Sequence, residues 1–390
     1  MITIKNNIQN CKKRVTIKMM QLVKGRPFLG CIFKILLRGR SRDFQEYVSR
    51  YRPPVKNGNH KYFTRHLVVD TYGKLNPHKI IMLLECDSGS GGFCAQWVYF
   101  LNRLSFSDSM GFSHSINWYG SQFYKEKSLV YNKNNIFEYF FDQPSNISVK
   151  EAKESQNVIL DNNTVDYGYY DAFAVGREDD YAFSAEDIKR FAIIQKKYIR
   201  LNECLKQEIS DGIVKMFKGR KVLAIHARGA DAQIPYNKHP IPVTIDEYIS
   251  KTKELAAEIK ADAIFLATDD NNILKIFINE FGEKLLYYKG VERSDGIRMN
   301  CYGESERPLH HYNLGKEIIR DVYTMASCQG FVCSLSYVSY IVQVVKKSME
   351  EDFEAIYCIK KSLRKDGMNL NDPQTVKTVE TLWNKEINKK

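Results

Sequence analysis

The sequence predicts an α/β fold in two domains, and three observations carry that reading. Short apolar runs alternate with longer segments of helical period through both halves of the chain. The runs in the second half, such as KVLAIHA at 221–227 and AIFLAT at 263–268, are continuously hydrophobic. That is the pattern of strands buried on both faces of a parallel sheet. At 390 residues the chain can also build two separate cores.

The elements follow in order. Residues 1–42 make a basic arm. The first 40 residues hold ten Lys or Arg and no Asp or Glu, so the arm carries most of the net charge of +12. The body is nearly neutral, which argues against a nucleic-acid-binding fold with a basic face of its own. The arm's apolar run, 28–37, falls short of the roughly 20 residues that span a bilayer, and it lacks the layout of a secretory signal. Phe28, Leu29, Ile32, Phe33, Leu36 and Leu37 share a helical stripe. Such a stripe either rests on an anionic membrane surface or packs on the body.

Residues 43–218 form the first α/β domain. Runs 65–71 and 79–85 read as strands. Ser88-Gly-Ser-Gly-Gly92 then turns into a helix over 93–104, and 113–118 reads as the next strand. The Tyr-, Asn- and Asp-rich stretch 120–180 reads as loops and short helices. Ser184, with Asp187 three residues on, opens one long linking helix to about residue 219. Phe191, Ile194, Tyr198, Leu201, Leu205 and Ile209 recur along it at spacings of three or four.

Residues 219–390 form the second domain and a C-terminal tail. Strands at 221–227, 263–268, 284–288 and 330–333 alternate with helices at 244–259, 272–281, 314–326 and 337–347. Thr244 and Glu247 make a capping-box pattern. This alternation implies a parallel sheet with a ligand cleft at the carboxyl ends of its strands, between the two domains. The nine cysteines show no CxxC pair. They read as reduced thiols in a cytoplasmic protein, neither a disulfide frame nor a metal site.

Three segments carry chemistry. In Ile225-His-Ala-Arg-Gly-Ala-Asp231 an apolar strand runs straight into His226, Arg228 and Asp231. Arginine offers a planar fork of donors suited to a diphosphate, and Gly229 lets backbone approach closely. In Ala267-Thr-Asp-Asp270, Asp269 and Asp270 end a second strand; they can accept hydrogen bonds from a ligand or cap the following helix. In the third, Asp321 lies on a helix, and Ser334 and Ser336 follow a strand and open the next helix, whose N–H groups suit an anion.

In order and spacing these segments resemble the fucosyltransferase superfamily: α-1,6-fucosyltransferases, nodulation-type fucosyltransferases and protein O-fucosyltransferases. The likeness is clearest from residue 222 to about 347. The loop at Gly91 and Gly92 resembles the glycine-rich loop of the family's first domain more loosely. The resemblance implies two Rossmann-like domains in a GT-B-like arrangement, the first on the acceptor side, facing a cleft. It implies an inverting transfer from GDP-fucose to a glycan, with no cofactor and no obligatory metal. It places His226 and Arg228 on the diphosphate, Asp321 on guanine and Ser336 near the phosphates, with Asp270, Ser334, Gly91 and Gly92 also toward the donor.

Two departures stand out. Many members carry a second arginine where this chain has Gly229, and relatives often have serine where it has Tyr337. The catalytic base is expected at Asp231 or, second, Asp269. With no secretion signal and a basic arm, the expected setting is cytoplasmic, peripheral at the inner membrane, in polysaccharide biosynthesis. The alternatives are a nucleotide-sugar-binding protein without catalysis and a nicotinamide-dependent dehydrogenase. The latter is weakened because Cys94 stands where the third glycine of its fingerprint belongs.

Overall fold

The computed structural model describes residues 69–89, 91–162, 184–229, 240–294 and 305–362. The arm at 1–42, Asp231 and the tail beyond 362 lie outside these residues. The chain divides into two compact units. One holds 69–87, Asn102–Tyr119 and 143–162; the other holds Ser88–Leu101, Gly120–Asp142 and the described residues from 184 onward. The boundary expected at 218/219 therefore differs from the division by packing, which assigns the glycine-rich loop and residues 184–218 to the second unit.

In the first unit the strands β1 (Ile81–Asp87), β2 (Ser113–Gly120) and β3 (Val158–Asn162) form a sheet in the order β2-β1-β3, with β1 and β3 parallel. Ile81, Leu83 and Val158 pack with Ile147 and Ala152, the latter on the short helix Val149–Ala152. Asp161 on β3 is fully buried and lies 3.4 Å from the Arg103 guanidinium. Burial pushes its carboxyl up to about 7, against the pull of Arg103. β3 was not expected; its VILDN run sits within the stretch 120–180 that reads as loops and short helices. Of the run at 65–71 only its end is described, and there Asp70 makes a lone antiparallel bridge to Val158.

The second unit carries a five-stranded sheet of β4 (Val222–His226), β5 (Ala263–Ala267), β6 (Leu285–Leu286), β7 (Gly330–Ser334) and β8 (Ala355–Ile359). Their order is β6-β5-β4-β7-β8, and every pairing is parallel. β4, β5 and β7 are buried at every residue, as continuously apolar runs demand. The helices between them are numbered here α1 (Ile245–Glu258), α2 (Asn271–Phe281), α3 (His310–Ala326) and α4 (Tyr337–Ser348). α1 starts with the expected capping box: the Glu247 N–H donates to Thr244 Oγ1 while the Glu247 carboxylate accepts from the Thr244 N–H.

The long linking helix is two helices, Ala185–Tyr198 and Glu203–Phe217. The interruption is held from outside. The Asn202 N–H donates to the Phe140 carbonyl, and the Asp142 N–H to that of Arg200. Asn202 then caps the second helix by accepting from the Leu205 N–H at 2.9 Å. The first helix ends where the Gln195 amide donates to the Ile199 carbonyl at 2.9 Å.

β6 is two residues long where five were expected. A tight turn at Gly282–Lys284 takes its start. Beyond it, the Tyr288 carbonyl accepts from Arg293 at 3.1 Å instead of joining a ladder.

Candidate functional site

The strand order creates the site. From β4 the chain steps outward through β5 to β6, then returns to the other side of β4 for β7 and β8. Connections leave β4 and β7 in opposite directions, which opens a crevice above their carboxyl ends. His226 is the last residue of β4, and Ser336 lies two residues past β7. A pocket of about 320 Å³ opens there, and all its lining residues belong to the second unit.

His226, Arg228, Asp269, Asp321, Ser336 and Gly92 all line this pocket. Arg228 follows β4, and Asp269 follows β5. Asp269 Oδ1 accepts from the Gly229 N–H at 2.9 Å, which ties the Arg228 loop to the end of β5. Ser336 is the N-cap of α4, its hydroxyl accepting from the Ser339 N–H. The exposed end of the helix dipole thus faces the pocket beside Arg228.

Another part of the lining is acidic. Glu317 and Asp321 stand one turn apart on α3, and Glu292 precedes that helix. Burial pushes the Asp321 carboxyl up to about 6; the Arg320 and Arg293 guanidinium groups pull it down, and Glu317 raises it further. Arg293 is itself fixed, donating from Nε to the Thr268 carbonyl at 3.1 Å. Glu317 pairs with Arg307 at 3.0 Å, and Glu292 lies 3.3 Å from His310 Nδ1.

Three expected residues lie elsewhere. Asp270 is the N-cap of α2: its Oδ1 accepts from the Asn272 and Ile273 N–H groups at 2.6 and 3.3 Å, and the side chain is buried. Ser334 accepts from the buried Tyr248 hydroxyl at 2.7 Å. Gly91 closes a turn, its N–H donating to the Ser88 carbonyl at 2.7 Å. None of the three lines the pocket.

The structure adds Glu292, Glu317, Tyr124 and Thr268 to the lining. Glu317 was findable: it precedes Asp321 by four residues and so shares its helix face. Tyr124 was not, because it lies in a loop 31 residues from Phe93, to which its hydroxyl is tied by accepting from the Phe93 N–H at 3.0 Å.

Gly229 has a steric cause. A Cβ there would lie 2.5 Å from Asp270 Cβ and 2.9 Å from Ile273 Cδ1. The chain packs too tightly against the cap of α2 to hold a side chain at this position.

No family model matches the chain, and no curated protein matches it. The chain resembles fucosyltransferases in fold. NodZ α-1,6-fucosyltransferase soaked with GDP-fucose shares 13% identity over 68% of this chain and 93% of its own, at a TM-score of 0.40. Fucosyltransferase NodZ from Bradyrhizobium shares 13% over 68% and 92%, also at 0.40. POFUT1 in complex with GDP-fucose shares 11% over 73% and 98%, at 0.44. At such identities the likeness concerns fold alone.

Proposed function

We propose that the pocket binds the nucleoside diphosphate of a GDP-sugar and that the chain transfers fucose from GDP-fucose to a glycan or lipid-linked oligosaccharide acceptor. One observation carries this reading. A single pocket at the switch point between β4 and β7 joins a cationic wall, Arg228 and the N-terminus of α4, to an acidic wall, Asp321 and Glu317. A diphosphate is acceptor-only and suits the first wall; a guanine edge rich in N–H donors suits the second. The choice of GDP and of fucose within that class rests on the motif resemblance.

In this reading the acceptor hydroxyl attacks the anomeric carbon from the face opposite the diphosphate. The bond from that carbon to the phosphate oxygen breaks, and its electron pair leaves with GDP. The acceptor proton passes to a carboxylate, Asp231 or Asp269. Negative charge growing on the diphosphate is met by the Arg228 guanidinium and helix N–H groups already in place. The reading needs no obligatory metal. Gly229 does not count against catalysis, since packing alone requires it. The setting we propose is cytoplasmic and peripheral at the inner membrane, with the basic arm on anionic lipid. Equal recovery of full-length and arm-deleted protein on anionic vesicles would refute that part.

The test is calorimetric binding of GDP, UDP, ADP and NAD, with and without a chelator. GDP binding unaffected by the chelator is expected. Arg228→Ala should weaken it by about 1.5–3 kcal/mol, roughly 10- to 150-fold, because charge-assisted bonds are lost. The fold should persist. Retained GDP affinity in that variant would remove the core of the reading.

A further inference from the structure

Two cysteines meet across the edge of the five-stranded sheet. β7 and β8 run parallel, and their register sets Cys333 directly against Cys358. Residues paired this way point to the same face of a sheet. Neighbouring strands lie about 4.8 Å apart, inside the window of roughly 4.4–6.8 Å between the Cα atoms of a disulfide. The two thiols already touch, each the hydrogen-bond partner of the other. Neither backbone needs to move far for the sulfurs to join.

The two sulfurs differ in reach and in acidity. Cys333 is fully buried on a central strand. Cys358 is half-buried on β8, the last strand of the sheet. Burial pushes the Cys333 thiol well up. The hydrogen bond from Cys333 pulls the Cys358 thiol down, against its partial burial, and Lys360 adds to the pull. A thiolate is the attacking form, so the accessible member of the pair is also the more reactive. The buried member stands behind it to resolve what forms there.

We propose that Cys333 and Cys358 are a redox modification site: a low-molecular-weight disulfide oxidises the pair to a Cys333–Cys358 disulfide, which latches the edge strand β8 onto β7. The Cys358 thiolate attacks one sulfur of the oxidant, whose S–S bond breaks and releases a first thiol. The Cys333 sulfur then attacks Cys358 Sγ in the mixed disulfide. That bond breaks in turn, and the second thiol leaves with the proton Cys333 gives up. The pair loses two electrons and two protons, and the oxidant takes them up as two thiols. The chemistry is independent of donor binding. It fits a chain whose cysteines rest reduced, since disulfides in a reducing compartment are transient and redox-sensing.

The experiment treats the reduced full chain at pH 8 with excess glutathione disulfide. Free thiols are capped before unfolding and again after it, and the monomer is mapped by mass spectrometry of its peptides. The exposed Cys204 reports that the oxidant has reacted. A Cys333–Cys358 link is expected in the wild-type chain. In Cys333→Ser the glutathione should stay on Cys358, because the resolving thiol is gone. The link closes a loop of roughly 25 residues in the unfolded chain, so the oxidised wild type should melt on the order of 5–10 °C above the reduced one. Cys358→Ser should show no such gain.

Cys333 and Cys358 both still thiols once Cys204 has reacted overturns the site. Glutathione left standing on Cys358 of the wild-type chain overturns the pairing. A Cys333–Cys358 link that brings no gain in melting temperature overturns the latch.

Discussion

Gly229→Ala is the sharpest structural test. The added Cβ would stand 2.5 Å from Asp270 Cβ, 2.9 Å from Ile273 Cδ1 and 3.2 Å from Asp270 Cγ. Ile273 can rotate its terminal methyl away. Asp270 Cβ cannot move without its carboxylate, which caps α2 through two backbone N–H groups. Overpacking a close site costs about 1–3 kcal/mol, and a strained cap adds up to about 1 kcal/mol. The sum, about 1–4 kcal/mol, lowers the melting temperature of a unit this size by on the order of 10 °C. The discriminating partner is Asp270→Gly. Glycine at an N-cap costs only a few tenths of a kcal/mol, roughly, and it removes the atom nearest the new methyl. The double variant should therefore melt higher than Gly229→Ala alone, a coupling that independent sites do not show. Thermal unfolding followed by circular dichroism decides it. A Gly229→Ala chain melting within about 2 °C of wild type, or a double variant no better than the single, refutes the packing argument. If the argument holds, an arginine at 229 disrupts this chain as well.

Three further outcomes follow from buried groups. Asp321 carries its charge only above about pH 6, so GDP affinity should fall as pH drops through that value. Asp321→Asn should weaken binding at pH 8 by roughly tenfold or more and flatten that limb of the calorimetric pH profile; an unchanged limb rules out the role. For Asp161, with its carboxyl raised to about 7, the native state binds the extra proton between the ordinary carboxylate range and pH 7. Its contribution to stability is therefore present at low pH and declines as pH rises through that window. Asp161→Asn should gain melting temperature relative to wild type from pH 4 to pH 8; a difference that stays flat contradicts the burial argument. Gly315 on α3 leaves no space for a side chain, since a Cβ would lie 2.5 Å from Phe140 Cζ and 3.1 Å from Phe93 Cε2. Gly315→Ala should cost about 1–3 kcal/mol in denaturant titrations, and a neutral result would mean the rings yield freely.

What could be read from sequence followed the locality of the physics. α1 was legible because Thr244 and Glu247 settle its start between themselves. β4, β5 and β7 were legible because strands buried on both faces read as nearly continuous apolar runs. The linking helix was misread because apolar spacing continues through Tyr198, Leu201 and Leu205, while the interruption is imposed by backbone from 140–142. The cap at Asn202 was the one local trace of it. β8 escaped because its AIYCI run is short and half exposed.

In the site, His226, Arg228, Asp269 and Asp321 come together because each ends or faces a strand of one sheet. Asp270 was a capping residue in plain view, its side chain committed one residue after that of Asp269 turned to the pocket. The tie from Asp269 to Gly229 spans 40 residues of sequence, and no pattern along the chain predicts it.

The brevity of β6 bears on how the folded chain meets other chains. The outermost strand of a parallel sheet is normally where a foreign strand adds, since its unpaired backbone groups form a template. Here that margin offers two residues, and Arg293 occupies the Tyr288 carbonyl that would extend it. A misfolded neighbour finds little ladder to join on that side. The turn and the guanidinium that shorten β6 thus leave a second folded copy little edge to pair with, in the same few residues that lead the chain to the acidic wall of the pocket.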